Sequence, residues 1–99
     1  MEITDWIQHW FKNNCDGDWE HGNGIQITTI DNPGWDVEID ISNTSLANIE
    51  IPWILNESSK QDWYGVKIEN HVFNASGDSG KLTFLLGLFK EMIEKFENS

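Results

Sequence analysis

Seven consecutive residues near the middle of the chain alternate strictly between apolar and acidic side chains, and this alternation constrains the fold most. Trp35, Val37, Ile39 and Ile41 are apolar, and the carboxylates of Asp36, Glu38 and Asp40 separate them. Side chains of a β-strand point alternately to its two faces, so the pattern predicts one buried face and one acidic face. The Asp31-Asn32-Pro33-Gly34 run before it predicts a tight turn.

Two amphipathic segments predict helices near the ends of the chain. The first runs from about Ile3 to Asn13, and the second runs from about Gly80 to Glu97 after a capping residue at Asp78 or Ser79. In both segments, apolar residues recur three and four positions apart, as they do on one face of an α-helix. Each helix therefore has a broad apolar face to bury.

Further strands are predicted on both sides of the alternating one. Ile25 to Thr29 precedes the turn, and a strand from about Ile49 to Leu55 follows. Because Pro52 has no amide hydrogen, that later strand belongs at a sheet edge or carries a bulge.

The last predicted strand runs from about Asp62 to Asn74, after a polar loop from Asn56 to Gln61, and a bulge or turn near Asn70-His71 would divide it in two. Short connections favour antiparallel neighbours. We predict an α+β fold of order α-β-β-β-β-α. Its antiparallel meander has four strands, or five if the last divides, and an N-terminal and a C-terminal helix pack on one face. We expect a single domain over residues 1–99.

The charge of the chain limits its partners. Seventeen Asp and Glu residues against six basic residues, all of them Lys, give a net charge of −11, and no basic residue lies between Lys12 and Lys60. Direct binding to nucleic acid or to an anionic membrane is not expected, because both interactions need positive charge on the protein. Solubility accounts for part of this excess, and a basic protein is the partner that such a field attracts.

The single cysteine, Cys15, excludes an internal disulfide and fits a reducing compartment. The segment from Met1 to Asp5 is acidic and lacks the apolar run of a signal peptide. No apolar stretch approaches the ~20 residues that a membrane-spanning helix needs. We therefore expect a cytoplasmic protein.

Three groups of residues have side chains that could support metal binding or catalysis. The segment Cys15 to His21 holds metal-ligand residue types, but its spacing matches no zinc pattern and lacks the closing glutamate of a calcium loop. Cys15 could act as a nucleophile with His21 or His71 as its base, but the sequence shows no recognisable group that would orient such a pair. The acids of the alternating strand are as typical of a solvated face as of acid–base catalysis. We expect no enzymatic activity and no cofactor, with a metal-binding or enzymatic domain centred on Cys15–His21 as the alternative.

The six tryptophans divide into three groups. Trp6, Trp10 and Trp35 fall on predicted core faces, and Trp53 is ambiguous because its strand is a candidate edge. Trp19 and Trp63 are either exposed anchors for a partner protein or plugs at the ends of the core.

Two short runs are together fairly specific for a family. They are Cys15-Asp16-Gly17-Asp18-Trp19-Glu20-His21, followed by Gly24-Ile25, and Asp31-Asn32-Pro33-Gly34-Trp35. With the Asp62-Trp63 strand and the Gly-rich loop before Leu82 and Leu85, nearly the whole chain resembles the immunity protein 53 family of bacterial polymorphic toxin systems. The resemblance implies a small α+β protein, encoded beside a secreted toxin, that protects the producing cell by binding the toxin domain. It implies no catalytic residue.

Charge and resemblance together predict stoichiometric neutralisation of a cognate toxin that is basic, with a nuclease as one candidate. The residues expected to bind the toxin are Asp16, Asp18, Trp19, Glu20, Asp36, Glu38, Asp40 and Trp63. The residues expected to form the family motif or to determine the fold are His21, Asp31, Asn32, Pro33, Gly34 and Trp35. No residue is assigned to a metal, and the expected state is a monomer or a weak homodimer. A general acidic adaptor or nucleic-acid mimic is a further alternative.

Overall fold

Two α-helices enclose five strands in chain order. The computed structural model describes residues 1–22 and 24–97. Its elements are α1 (Ile3–Asn14), a short 3₁₀ helix (Trp19–His21), β1 (Ile25–Ile30), β2 (Gly34–Asp40), β3 (Ile51–Ser59), β4 (Asp62–Glu69), β5 (Val72–Asp78) and α2 (Leu82–Glu97). In this described part, no helix combines the length and the apolar character needed to cross a membrane.

All five strands lie in one antiparallel sheet of order β1-β2-β5-β4-β3. The predicted α+β class, with a helix at each end of the chain, is confirmed in its five-stranded form. The sheet combines a β1–β2 hairpin with a β3–β4–β5 meander, and β2 pairs with β5. Strands that follow one another in the chain are therefore neighbours within the hairpin and within the meander. Where these two parts meet, β2 lies beside β5 and not beside β3.

A two-residue turn divides the last predicted strand into β4 and β5, as the second form of the prediction allowed. Asn70 and His71 both have positive φ, at 54° and 63°. Positive φ at both central residues matches a tight hairpin turn whose twist suits the flanking strands. The turn brings Glu69 opposite Val72 and sets the register of the β4–β5 pair.

The connection from β2 to β3 explains the strand order. It covers residues 41–50 and crosses the ends of β5 and β4, so that β3 begins at the far edge. Ile41 and Leu46 within it are fully buried, and the Ile41 amide donates a hydrogen bond to the carbonyl oxygen of His71. Apolar side chains thus anchor the crossover, which would otherwise be costly to order.

One face of the sheet forms the core with both helices. Val37, Ile39 and Phe73 project from the central strands, and Phe89 of α2 packs on Phe73 with ring centroids 5.1 Å apart. Trp10 of α1 meets the same Phe89 ring edge-on at 4.8 Å. This confirms that the helices share one face, as the apolar stripes of both helices predicted.

Two predicted boundaries need correction. The predicted loop Asn56–Gln61 is reduced to a turn at Lys60 and Gln61, because β3 continues to Ser59 and pairs Asn56 with Tyr64 and Glu57 with Trp63. Backbone pairing with β4 extends the strand although its side chains stay exposed. Helix α2 begins at Leu82 rather than at Gly80.

Candidate functional site

The face of the sheet opposite the helices, called the outer face below, carries the central acids of β2. Asp36 is half-buried, and its Oδ1 accepts hydrogen bonds from Asn74 Nδ2 at 2.9 Å and from Ser76 Oγ at 2.6 Å. Glu38 is exposed two residues further along β2. One predicted acid is therefore fixed by its neighbours, and the other is directed to solvent.

Three apolar side chains lie on the same face toward the β3 edge. Trp53 and Leu55 of β3 are 47% and 52% exposed, and Trp63 of β4 is half-buried. We call these three residues the outer cluster. Leu55 pairs with Gly65 and Glu57 with Trp63, so the cluster spans the β3–β4 pair. Exposed large apolar side chains that adjoin one another are typical of binding surfaces.

Gly65 gives the Trp53 side chain its position. A β-carbon at Gly65 would overlap the Trp53 indole. The glycine therefore lets the ring lie directly on the β4 backbone. A bulge in the β3–β4 register between Ile51 and Ile54 accompanies this contact. Bulges commonly redirect side chains in this way.

A cavity of about 370 Å³ opens beside the outer cluster. Leu55 and Trp63 line it together with Glu57, Lys60 and Asn32 of the β1–β2 turn. Apolar walls with a few polar groups at the rim are typical of sites that hold a ligand or a partner's side chain.

Lys67 moderates the negative charge at the other end of the outer face. Its Nζ lies 3.9 Å from Glu69 Oε2. It also lines a polar depression with Glu38 and Asn74. An exposed pair at this distance contributes little to stability. Lys67 therefore places one positive charge beside Glu38 and Glu69 at this end of the outer face.

Asp78 fixes the backbone beside Trp63. Its Oδ2 accepts hydrogen bonds from the Trp63 amide at 3.0 Å and from Lys81 Nζ at 2.8 Å, and its Oδ1 accepts one from the Gly80 amide at 2.9 Å. The Lys81 hydrogen bond, followed by those from the two amides, lowers the pKa of Asp78 to about 2. Lys81 also contacts Asp62 at 2.7 Å, so this network ties the start of β4 to the segment that leads into α2.

Trp19 is a core residue, so the alternative in which it is an exposed anchor is wrong. It is only 7% exposed, because its ring packs between Trp10 and Phe11 of α1. Its Nε1 donates to the carbonyl oxygen of Asp40 at 3.3 Å. The Asp40 carboxylate in turn accepts from the Ser42 amide, so both residues hold the end of β2.

Asp16 and Glu20, before and within the 3₁₀ helix, organise the backbone of their own segment. Asp16 Oδ1 accepts hydrogen bonds from the amides of Trp19 and Asp18, which lower the pKa of Asp16. Glu20 accepts from the amides of Asp16 and Gly17, and backbone hydrogen bonds, that of Glu20 itself first, lower its pKa as well. This segment lies between α1 and β1 in the chain.

The thiol of Cys15 is not set up as a nucleophile. It donates to the Phe11 carbonyl oxygen at 3.2 Å. Partial desolvation, followed by the charges of Glu20 and Asp16, raises its pKa. A raised pKa disfavours the reactive thiolate.

Within residues 1–22 and 24–97, no three His, Cys, Asp or Glu side chains are placed to hold a metal ion. Asp18 and His21 are exposed.

The second motif builds the β1–β2 hairpin. Asp31, Asn32 and Pro33 form its exposed turn. A β-carbon at Gly34 would overlap the carbonyl oxygen of Gly77, so this position needs glycine. Trp35 is half-buried against the core, and its Nε1 donates to the Ser79 carbonyl oxygen at 2.9 Å. Asn32 alone of these residues reaches the cavity beside the outer cluster.

Sequence reasoning missed Leu55 and left Trp53 undecided. The signal was present, since Ile51–Leu55 is apolar at every position instead of alternating. A continuous apolar run is typical of a strand that is buried on both faces. Pro52 places this strand at an edge, where such burial is not available within the sheet. Together the two features predict exposed apolar side chains.

Comparison with known proteins supplies a family. A profile of the family described as immunity protein 53 matches residues 4–94. No curated protein and no solved structure gives a significant match. The matched region includes both motifs, all five strands and most of α2. Because the match spans nearly the whole chain, the protein belongs to the immunity protein 53 family.

Proposed function

We propose that the chain neutralises a basic toxin domain by covering its active surface with the outer face of the sheet. Membership of the family implies an immunity protein directed against a toxin. The observation that carries the proposal is that Asp36 and Glu38 lie on the same face of the sheet as the outer cluster, and neither helix covers that face. Neutralisation then follows from contact alone and needs no catalytic step.

Charge supports a basic partner. The net charge of −11 attracts a positively charged protein from a distance and repels a negatively charged one. Complementary charge speeds association and selects among partners more than it adds affinity. Toxin domains that act on nucleic acid carry basic active surfaces, so a nuclease is the class that this field would meet best.

The outer cluster supplies the affinity that charge does not. Tryptophan is enriched among the residues that dominate binding energy at protein interfaces. Trp53, Leu55 and Trp63 lie on one face of the sheet. The cavity beside them is lined by Leu55 and Trp63 and extends to Asn32 of the β1–β2 turn. An inhibitory interface buries about 800 Å² on each partner, roughly an eighth of the 6295 Å² accessible surface of this chain.

The test is inhibition by the purified protein of the toxin encoded beside it. We expect a complex of one to one stoichiometry, and a loss of toxin activity that is complete at equal molar amounts. Trp63→Ala is expected to weaken the complex by roughly thirtyfold or more, as a loss of about 2 kcal/mol or more does. Lys95→Ala on the exposed side of α2 is the control and should bind as the wild type does. Absence of a complex would overturn the proposal. So would complete inhibition of the toxin by much less than one molar equivalent of this protein.

A further inference from the structure

The free edge of β3 is exposed in a way that packing within the fold does not account for. Every residue from Pro52 to Ser59 is exposed, although the strand is paired along one side. In the described part of the chain, neither helix covers this strand, and β4 is its only partner in the sheet. An edge strand presents a row of unpaired backbone amides and carbonyls, which can pair with another chain.

The β3 edge is open over a limited window. Register shifts occur between Ile51 and Ile54 and between Glu57 and Ser59, and the pairing with β4 is regular only from Ile54 to Glu57. Pro52 and the two irregularities bracket this window. Proline and bulges are the features by which proteins protect edges from unwanted pairing. The window from Ile54 to Glu57 is the stretch that they leave available.

The other edge strand differs in the side chains that it exposes. In β1, Ile27 is the one large apolar side chain among the exposed ones. In β3, three large apolar residues, Trp53, Ile54 and Leu55, are exposed in sequence. Strand addition gains its affinity from backbone hydrogen bonds and its specificity from the side chains beside them. The β3 edge offers both.

Resting on the proposed function, we infer that an extended segment of the toxin pairs with β3 between Ile54 and Glu57 and adds a sixth strand to the sheet. The apolar side chains of that segment lie against Leu55 and Trp53. A basic side chain reaches Glu57, while Glu50 lies at the other end of the apolar run. A second copy of this chain is a poorer occupant, because each copy carries a net charge of −11.

Amide hydrogen exchange on the wild-type protein, free and in complex with the toxin, tests this inference. Adjacent residues of an edge strand direct their amides alternately to the neighbouring strand and to solvent. In the free protein, the solvent-directed amides between Ile54 and Glu57 should exchange rapidly. In the complex, we expect them to slow by roughly tenfold or more. The solvent-directed amides of β1 are the internal control and should not change.

The outcomes separate the two proposals. A complex that inhibits the toxin while the β3 amides exchange as in the free chain would overturn strand addition and leave the proposed function standing. No complex at all would overturn both. Protection of these amides in the free chain, together with a dimer in sedimentation, would show that a second copy occupies the edge and that the inference is wrong.

Discussion

The indole of Trp53 in β3 lies directly over Gly65 in β4, in the space that a side chain at position 65 would fill. The contact fixes a large aromatic ring on the outer face although the ring remains nearly half exposed. A ring held in place before binding loses little conformational freedom when a partner covers it. The pair thus turns an edge residue into a preformed anchor.

Gly65→Ala tests this role of the anchor. The added methyl group overlaps the indole and forces Trp53 to turn away from β4. We expect affinity for the toxin to fall by about tenfold or more in calorimetric titration, since displaced aromatic anchors cost binding energy. Unchanged affinity in a variant whose Trp53 indole resonance, assigned by NMR, shows displacement would remove this residue from the interface.

Gly87→Ala is the matched control for that experiment. Position 87 lies within α2, and a β-carbon there meets no atom within 4 Å. Because glycine weakens a helix interior, the variant should gain roughly 0.5–1 kcal/mol in free energy of unfolding. Its affinity for the toxin should equal that of the wild type.

Glu38→Gln tests the electrostatic part of the account. Glu38 is exposed on the outer face, so its removal weakens the local field that guides a basic partner. We expect a lower association rate constant at low salt and a nearly unchanged dissociation rate constant, measured by stopped-flow. Glu94→Gln, on the exposed side of α2, carries the same change of net charge. Equal slowing by both variants would argue against a localised acidic surface.

Phe89→Ala tests the packing that holds the helices to the sheet. The Phe89 ring is fully buried and lies within 5.1 Å, between centroids, of both Trp10 and Phe73. Its truncation should lower the free energy of unfolding in urea by about 3–5 kcal/mol. Phe84, on the same helix, is 43% exposed, so Phe84→Ala should cost clearly less. A similar loss in both variants would contradict the placement of the core.

Asp78→Asn tests the network beside Trp63. Because the pKa of Asp78 falls from an ordinary value near 3.8 to about 2 on folding, its ionised form stabilises the fold above pH 3.8, and this stabilisation is lost as the pH falls through 2. The variant should unfold at a lower temperature at pH 7, and its melting temperature should depend less on pH between 2 and 4. Asp31→Asn, in the exposed β1–β2 turn, serves as the control and should retain the wild-type pH dependence.

The elements of the fold could be predicted from local patterns, and their arrangement only in part. The alternation in β2 and the apolar stripes of both helices depend on neighbouring residues alone, and these elements appear within two residues of the predicted bounds. The pairing of β2 with β5 depends on a crossover anchored by Ile41 and Leu46, which no local pattern shows. The end of β3 was missed because backbone pairing, and not burial of side chains, extends that strand to Ser59.

The candidate site was less predictable than the fold. The parity of β2 placed Asp36 and Glu38 on the outer face, as the structure has them. The alternation of side chains could not show that Asp16 accepts hydrogen bonds from amides of its own loop. Nor could it show that Trp19 packs between α1 and the end of β2. The contact of Trp53 with Gly65 joins residues on two strands and depends on a bulge, so it required the register of the sheet.

The most direct test of the central claim is the affinity of the purified protein for its neighbouring toxin as a function of salt concentration. The account predicts a one to one complex whose affinity declines steadily as salt screens the acidic face, without vanishing, because the outer cluster contributes apolar contact. An affinity that does not change with salt, or the absence of a complex at low salt, would contradict the claim that a preformed acidic and aromatic face captures a basic toxin.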